Sequence, residues 1–212
     1  MGLTGIILRA AISLKRVTSR LIDQITIKAR NLEEIIGLFD EHGKATYSVA
    51  WIDCLAKGAD LGRSLLMVGE HAPEGPLRAR TPRTLRVPVE FPSFVLTPFS
   101  VRLFNYLYYH RVRRRVVASR VDVASFFYPL DAVAHWNLIY GRSGFTQYQF
   151  VLPRAASQEG MTRILTAISG RGLGSFLAVL KLMGPENRNP LSFPMEGLTL
   201  ALDFKIEPGL FP

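Results

Sequence analysis

Two glutamines flank a tyrosine in Gln147-Tyr148-Gln149, inside a stretch (residues 145–152) that alternates like a strand. Period-two geometry puts both side-chain amides on one face, with Tyr148 and Phe150 on the other. Paired amides beside apolar neighbours are costly to bury unless they meet partners or a ligand. On a wet sheet face that cost does not arise, and the sequence permits both readings. Lys181 interrupts an otherwise apolar run at 176–183. It either snorkels to solvent at a strand end or points into a polar site. Thr199, Ala201 and Asp203 alternate with Leu198, Leu200, Leu202 and Phe204. Together with Gln147 and Gln149 they could line one shared sheet face, offering hydrogen bonds to a ligand.

A second kind of chemistry is electrostatic. Arg111, Arg113, Arg114 and Arg115 form a basic run, with Arg120 beyond it and aromatics before it. Guanidinium forks pair with phosphate oxygens, so this stretch (111–120) reads as a phosphate or anionic-membrane contact. A solvated helix end reads the same way. The opening Gly2-Leu3-Thr4-Gly5 would let a backbone approach a phosphate or ring closely, as many turns do. No Walker-type loop, dinucleotide-binding glycine fingerprint or nucleophile elbow occurs.

These residues need elements to hold them. Residues 2–14 read as a strand. Ile25, Ile27 and Ala29 alternate as a half-buried strand. Asn31 caps a following helix, with Glu34 reaching back to the Asn31 amide. Leu32, Ile35, Ile36 and Phe39 form its apolar stripe, and Gly43 stops it. Residues 45–53 make another strand. The pattern recurs: a strand at 145–152, a helical stripe of Met161, Ile164, Leu165 and Ile168 ended by Gly170, and strands at 175–182 and 198–204. Between the units, residues 73–98 read as an irregular excursion. Thr97-Pro98 then starts a helix carrying Phe99, Leu103, Tyr106 and Leu107 on one side. Two strand–helix–strand units with extra strands predict an α+β fold: a largely antiparallel sheet with helices on one face.

Composition bounds the class. The chain has 212 residues, 48% hydrophobic and 20% charged, enough for a packed core. The sole cysteine, Cys54, excludes an intramolecular disulfide, and no Cys/His cluster has metal-ligand spacing, so no metal site is expected. A net charge of +9 suits an anionic partner. No nucleic-acid recognition signature is present, which points away from nucleic acid. No apolar stretch is long enough to span a bilayer. The opening residues make no convincing signal peptide, and Ile6 stands where a myristoylation signal needs Ser or Thr. The expected location is cytoplasmic, with contact to a membrane surface.

Several segments resemble one family in order: MGLTGIIL at 1–8, YSVAWID at 47–53, FYPLD at 127–131, HWN at 135–137 and YG at 140–141. GFTQYQF at 144–150, FLAVLK at 176–181 and PLSFP at 190–194 through Asp203-Phe204 continue the series. The chain is similar to the decaprenylphosphoryl-ribose 2′-oxidase group, within the vanillyl-alcohol-oxidase-type flavoproteins. That resemblance implies an FAD-dependent oxidation of a secondary alcohol on a lipid-phosphate-linked pentose, with hydride passing to the flavin. It also implies a separate NAD-dependent reductase as partner. By the resemblance, Gln149 and Lys181 are catalytic and face the substrate side of the ring. Gln147, Trp51, Phe127, Met183, Thr199 and Ala201 bind substrate, and Leu3, Thr4 and Gly5 touch the cofactor. Phe127 stands where tyrosine is expected, and Thr199 and Ala201 where some members have asparagine and cysteine. The resemblance further implies that residues 1–20 end a flavin-binding domain otherwise missing here. Residues 21–212 would then be the substrate (cap) domain, lacking a C-terminal return segment. An isolated chain of this kind is expected neither to hold FAD firmly nor to turn over. Two alternatives are a sibling aldonolactone or alditol oxidase and a non-catalytic basic module that binds anionic lipid.

Overall fold

The computed structural model describes residues 5–78, 84–92, 95–188, 193–207 and 210. Strand β1 (Leu21–Ala29), helix α1 (Leu32–Glu41), β2 (Tyr47–Ile52) and β3 (Ser64–His71) form a first unit. A connecting segment carries β4 (Leu85–Arg86), α2 (Pro98–His110), β5 (Val116–Asp122), α3 (Val123–Phe127) and β6 (Val133–Ala134). A second unit follows as β7 (Phe145–Pro153), α4 (Ser157–Arg171), β8 (Ala178–Met183) and β9 (Gly197–Lys205). Seven strands make one sheet in the order β5-β1-β3-β2-β8-β9-β7, with every pairing antiparallel. β4 and β6 form a separate two-residue parallel pair.

The order reads as a mirrored repeat. In each unit the last strand inserts between the two that flank the helix: β1-β3-β2, then β8-β9-β7. The helix-linked strands therefore run parallel to one another with an antiparallel strand between them, a split βαβ arrangement. The units meet where β2 pairs with β8, through only Ala50↔Leu180 and Trp51↔Val179. One core spans both. Ile35 and Phe39 of α1 and Met161 and Leu165 of α4 pack on the same sheet face as Ala50, Leu66, Leu180 and Leu200. The expected α+β class, an antiparallel sheet with α1 and α4 on one face, is borne out.

Local details differ from expectation in instructive ways. Asn31 caps α1 by accepting the Glu34 amide at 3.0 Å, but the Glu34 carboxylate accepts the Arg30 amide at 2.6 Å instead of that of Asn31. α1 ends at Glu41 on His42, before Gly43. α4 runs through Gly170 to Arg171 and stops at Gly172, whose φ of 69° is the left-handed conformation that glycine adopts without a Cβ penalty. The strand expected at 175–182 begins at Ala178, because Ser175 turns the chain through its hydroxyl contacts with Leu177.

One correction is larger. Residues 5–17 form no strand, and Ile6, Ile7, Leu8, Ile12 and Leu14 are exposed. A strand persists only beside a hydrogen-bonding neighbour, and among the described residues none lies alongside. Helix α2 is capped as expected, with Thr97 and Ser100 forming a reciprocal box. Phe99, Leu103, Tyr106 and Leu107 share one side as expected; that side faces outward, and the inward face is Val101, Asn105 and Tyr109. The reason is polar. Asn105 is fully buried and donates to Asp53 Oδ1 at 2.8 Å, and Tyr109 donates to the Ala29 carbonyl at 3.1 Å. Asp53 is also gripped by Arg63 at 2.8 and 3.0 Å. Among the described residues no helix is long and apolar enough to cross a membrane.

Candidate active site

The sheet face away from α1 and α4 forms the floor of an open groove of about 1400 Å3. Register fixes which side chains reach it. One row crosses six strands: Gln149, Ala201, Val179, Trp51, Leu65 and Lys28, each the partner of the next. Beside it, Lys181 lies directly across from Thr199, which also faces Val151. Gln147 lies across from Asp203.

The two glutamines are oriented by different partners. Gln149 Nε2 donates to Thr199 Oγ1 at 3.1 Å, and the Thr199 hydroxyl donates to the Phe150 carbonyl at 2.7 Å. Thr199 is buried and holds Gln149 from beneath, so it does not itself line the groove. Gln147 Nε2 donates to Asp203 Oδ1 at 2.8 Å. Asp203 is 1% exposed, and its other oxygen has no hydrogen-bond partner. Burial lifts its carboxyl above the ordinary carboxylate value, and the Gln147 bond only partly opposes this. Burial, reinforced by the negative charge of Asp203, likewise raises Tyr140, whose ring stacks on Phe145 and Phe176. Lys181 is exposed and makes no ion pair among the described residues, so its ammonium is free to meet a ligand.

Two aromatic walls stand on this floor. On one side, Tyr108 of α2 packs on Trp51 with centroids 4.7 Å apart, and the Arg111 guanidinium lies 3.9 Å from the Tyr108 ring centre. Trp51 is buried, with its indole N–H donating to the Phe176 carbonyl at 3.0 Å. On the other side, Phe127 meets Tyr47 edge-on at 4.8 Å and Phe126 at 5.1 Å. Gly69 makes this wall possible: a Cβ there would sit 2.7 Å from the Phe126 ring. Cys54 takes no part. It is buried, bonded to Ser175, and burial pushes its thiol up to about 12.

The structure thus gathers Trp51, Phe127, Gln147, Gln149, Lys181, Met183 and Ala201 around one groove, with Thr199 just below. It does not bring Gly5 there; Gly5 is exposed, with nothing within 4 Å of where a Cβ would stand. Leu3 and Thr4 lie outside the described residues. Sequence reasoning missed the walls formed by Tyr108 and Tyr47, and Arg111 as a groove residue. Only the aromatic richness of residues 104–109 signalled the first of these.

Comparison with known proteins agrees with the motifs. The chain is 35% identical over 223 aligned residues to a decaprenylphosphoryl-beta-D-ribose oxidase of Mycolicibacterium smegmatis, covering 99% of this chain and 47% of that protein. It is 27% identical over 221 residues to an uncharacterised protein of Streptomyces coelicolor, covering 96% of this chain and 59% of that one. The chain spans about half the length of the curated relatives it matches. No family model matches it. The resemblance to a decaprenylphosphoryl-beta-D-ribose oxidase therefore extends over nearly the whole chain.

Proposed function

We propose that this chain is the substrate side of an FAD-dependent oxidoreductase that oxidises a secondary alcohol on a lipid-phosphate-linked sugar. In this reading residues 1–20 close a flavin-binding domain and residues 21–212 form the substrate domain. The observation that carries it is the open floor on which Gln147, Gln149 and Lys181 converge beside an apolar strip, in a chain so similar to a sugar oxidase.

The donor set fits one face of a flavin ring. Gln147, Gln149 and Lys181 offer hydrogen bonds to polar ring atoms or a sugar, and Val179 and Ala201 offer a flat apolar surface between them. Among the described residues no glycine-rich turn opens a helix to cradle a pyrophosphate, so the reading needs a further flavin-binding unit. A bound flavin would supply the hydride acceptor. The chain's own residues bind and orient. Thr199 fixes the Gln149 amide and Asp203 fixes that of Gln147, so neither must be ordered when the sugar arrives. Lys181 Nζ is the group placed to donate a hydrogen bond to the reacting sugar oxygen and to stabilise negative charge on it. Arg111, backed by Tyr108, is the wall cation suited to the phosphate. Trp51, Phe127 and Met183 shape the pocket around the sugar.

Two experiments test the reading. Titrating FAD into the 212-residue chain should give no tight, stoichiometric complex, because few contacts remain to offset ordering the cofactor. A tight one-to-one complex overturns the division between the units. Supplied with its flavin-binding unit, the enzyme should oxidise a polyprenyl-phosphate pentose far faster than a free alditol. Preference for the free polyol would replace this reading with the alditol-oxidase one.

A further inference from the structure

Helix α2 presents an apolar face to solvent. Phe99 is 74% exposed and Leu107 59%, with Leu103 and Tyr106 between them. At 100° per residue these four fall on one side of the helix, opposite the buried Val101, Asn105 and Tyr109. Monomeric proteins seldom leave an aromatic helix face in water without use. What surrounds this face identifies its partner. Between Glu90 and Asp122 the chain has six arginines and no acidic residue. Three of the six are engaged: Arg115 with Glu34, Arg120 with Asp23, and Arg111 over the Tyr108 ring. The other three, Arg102, Arg113 and Arg114, are exposed and in no ion pair among the described residues. An apolar face with unopposed cations at its flank and end complements a surface that is apolar within and anionic at its boundary.

We propose that the outer face of α2, with Arg102, Arg113 and Arg114, docks the protein on an anionic lipid surface. The aromatic side chains enter the headgroup boundary and the guanidinium groups hold lipid phosphates. The basic stretch 111–120 thus acts through two of its five arginines. The same helix also builds a groove wall through Tyr108 and Arg111, so docking sets the groove beside the lipid. That last consequence rests on the proposed lipid-linked substrate, whereas the docking itself does not.

The test is cosedimentation of the whole chain with vesicles of phosphatidylglycerol and phosphatidylcholine, against phosphatidylcholine alone. Binding to the anionic vesicles at low ionic strength, weakening as salt is added, is expected. Arg113→Gln with Arg114→Gln should weaken it about 25-fold, at about 5-fold per arginine. Phe99→Ser with Leu107→Ser should weaken it at least about 10-fold. All four side chains are exposed, so both variants should keep the parent circular dichroism spectrum. Absence of binding at low salt overturns the proposal, as does equal binding by parent and variants. Sedimentation velocity showing a dimer that Phe99→Ser with Leu107→Ser dissociates, without vesicle binding, would assign the face to a second copy instead. Flavin titration and turnover are separate readouts, so failure here leaves the oxidase reading standing.

Discussion

Lys181 and Asp203 sit on the same sheet face and are opposites physically. Lys181 is exposed and unpaired within the described chain, so nothing in the fold needs its charge. Lys181→Met should change unfolding free energy by less than about 0.5 kcal/mol. In the flavin-complete enzyme it should lower turnover on the order of 100-fold. A loss of stability as large as the loss of rate would make Lys181 structural. Asp203 carries its charge at a cost to the fold. Its folded pKa lies above the unfolded one, so its proton stabilises the fold in acid. That contribution fades as pH rises from the ordinary value of 3.8 through the raised one. Asp203→Asn keeps an acceptor for Gln147 and has no charge to desolvate. Its urea midpoint should exceed the parent's at neutral pH and converge with it below the ordinary carboxylate range. A difference that ignores pH would refute this. The alternation of β7 and β9 made the shared face readable from sequence. The burial of Asp203 was not readable, because it is set by tertiary packing and not by the alternation of β9.

Among the elements, α2 is held by polar anchors more than by an apolar stripe. Asn105 reaches the Asp53 carboxylate at 2.8 Å in a fully buried setting. Asn105→Ala leaves that charge short of a donor and should cost about 2 kcal/mol, read by urea denaturation. A neutral result would mean that Arg63 and the Leu55 amide, which donates to Asp53 Oδ1 at 3.1 Å, together satisfy Asp53. This anchoring explains which parts of the fold the sequence disclosed. The caps at Asn31 and Thr97 are local signals and sit where their side chains predict. The inward face of α2 is not a local property. Its apolar stripe is genuine, yet buried hydrogen bonds to Asp53 and Ala29 turn the other side inward. The strand expected at 2–14 failed for the same kind of reason: alternation describes a side-chain pattern, and a ladder needs a neighbour.

At the scale of the whole molecule, two units share one core across a seam only two residue pairs long. The backbone ladder joins them weakly, and the common packing of α1 and α4 joins them strongly. Ile35→Ala in the first unit and Leu180→Ala in the second should each cost about 3 kcal/mol. Both should shift one shared unfolding transition. Two separable transitions in either variant would show that the units fold independently. The β2–β8 pairing that creates this seam joins residues more than a hundred apart, beyond the reach of local periodicity.

The mirrored repeat also divides the labour of the groove. Gln147, Gln149, Lys181, Thr199 and Asp203 all descend from the second unit, whereas Trp51 and the walls of α2 and α3 come from the first unit and the segment after it. A lineage carrying this fold can therefore let its first half drift, reshaping what fits between the walls, while the donors inherited with the second half stay in place. In the proposed reading, selectivity and reactivity thereby become largely, though through Met183 and Arg111 not wholly, separately heritable.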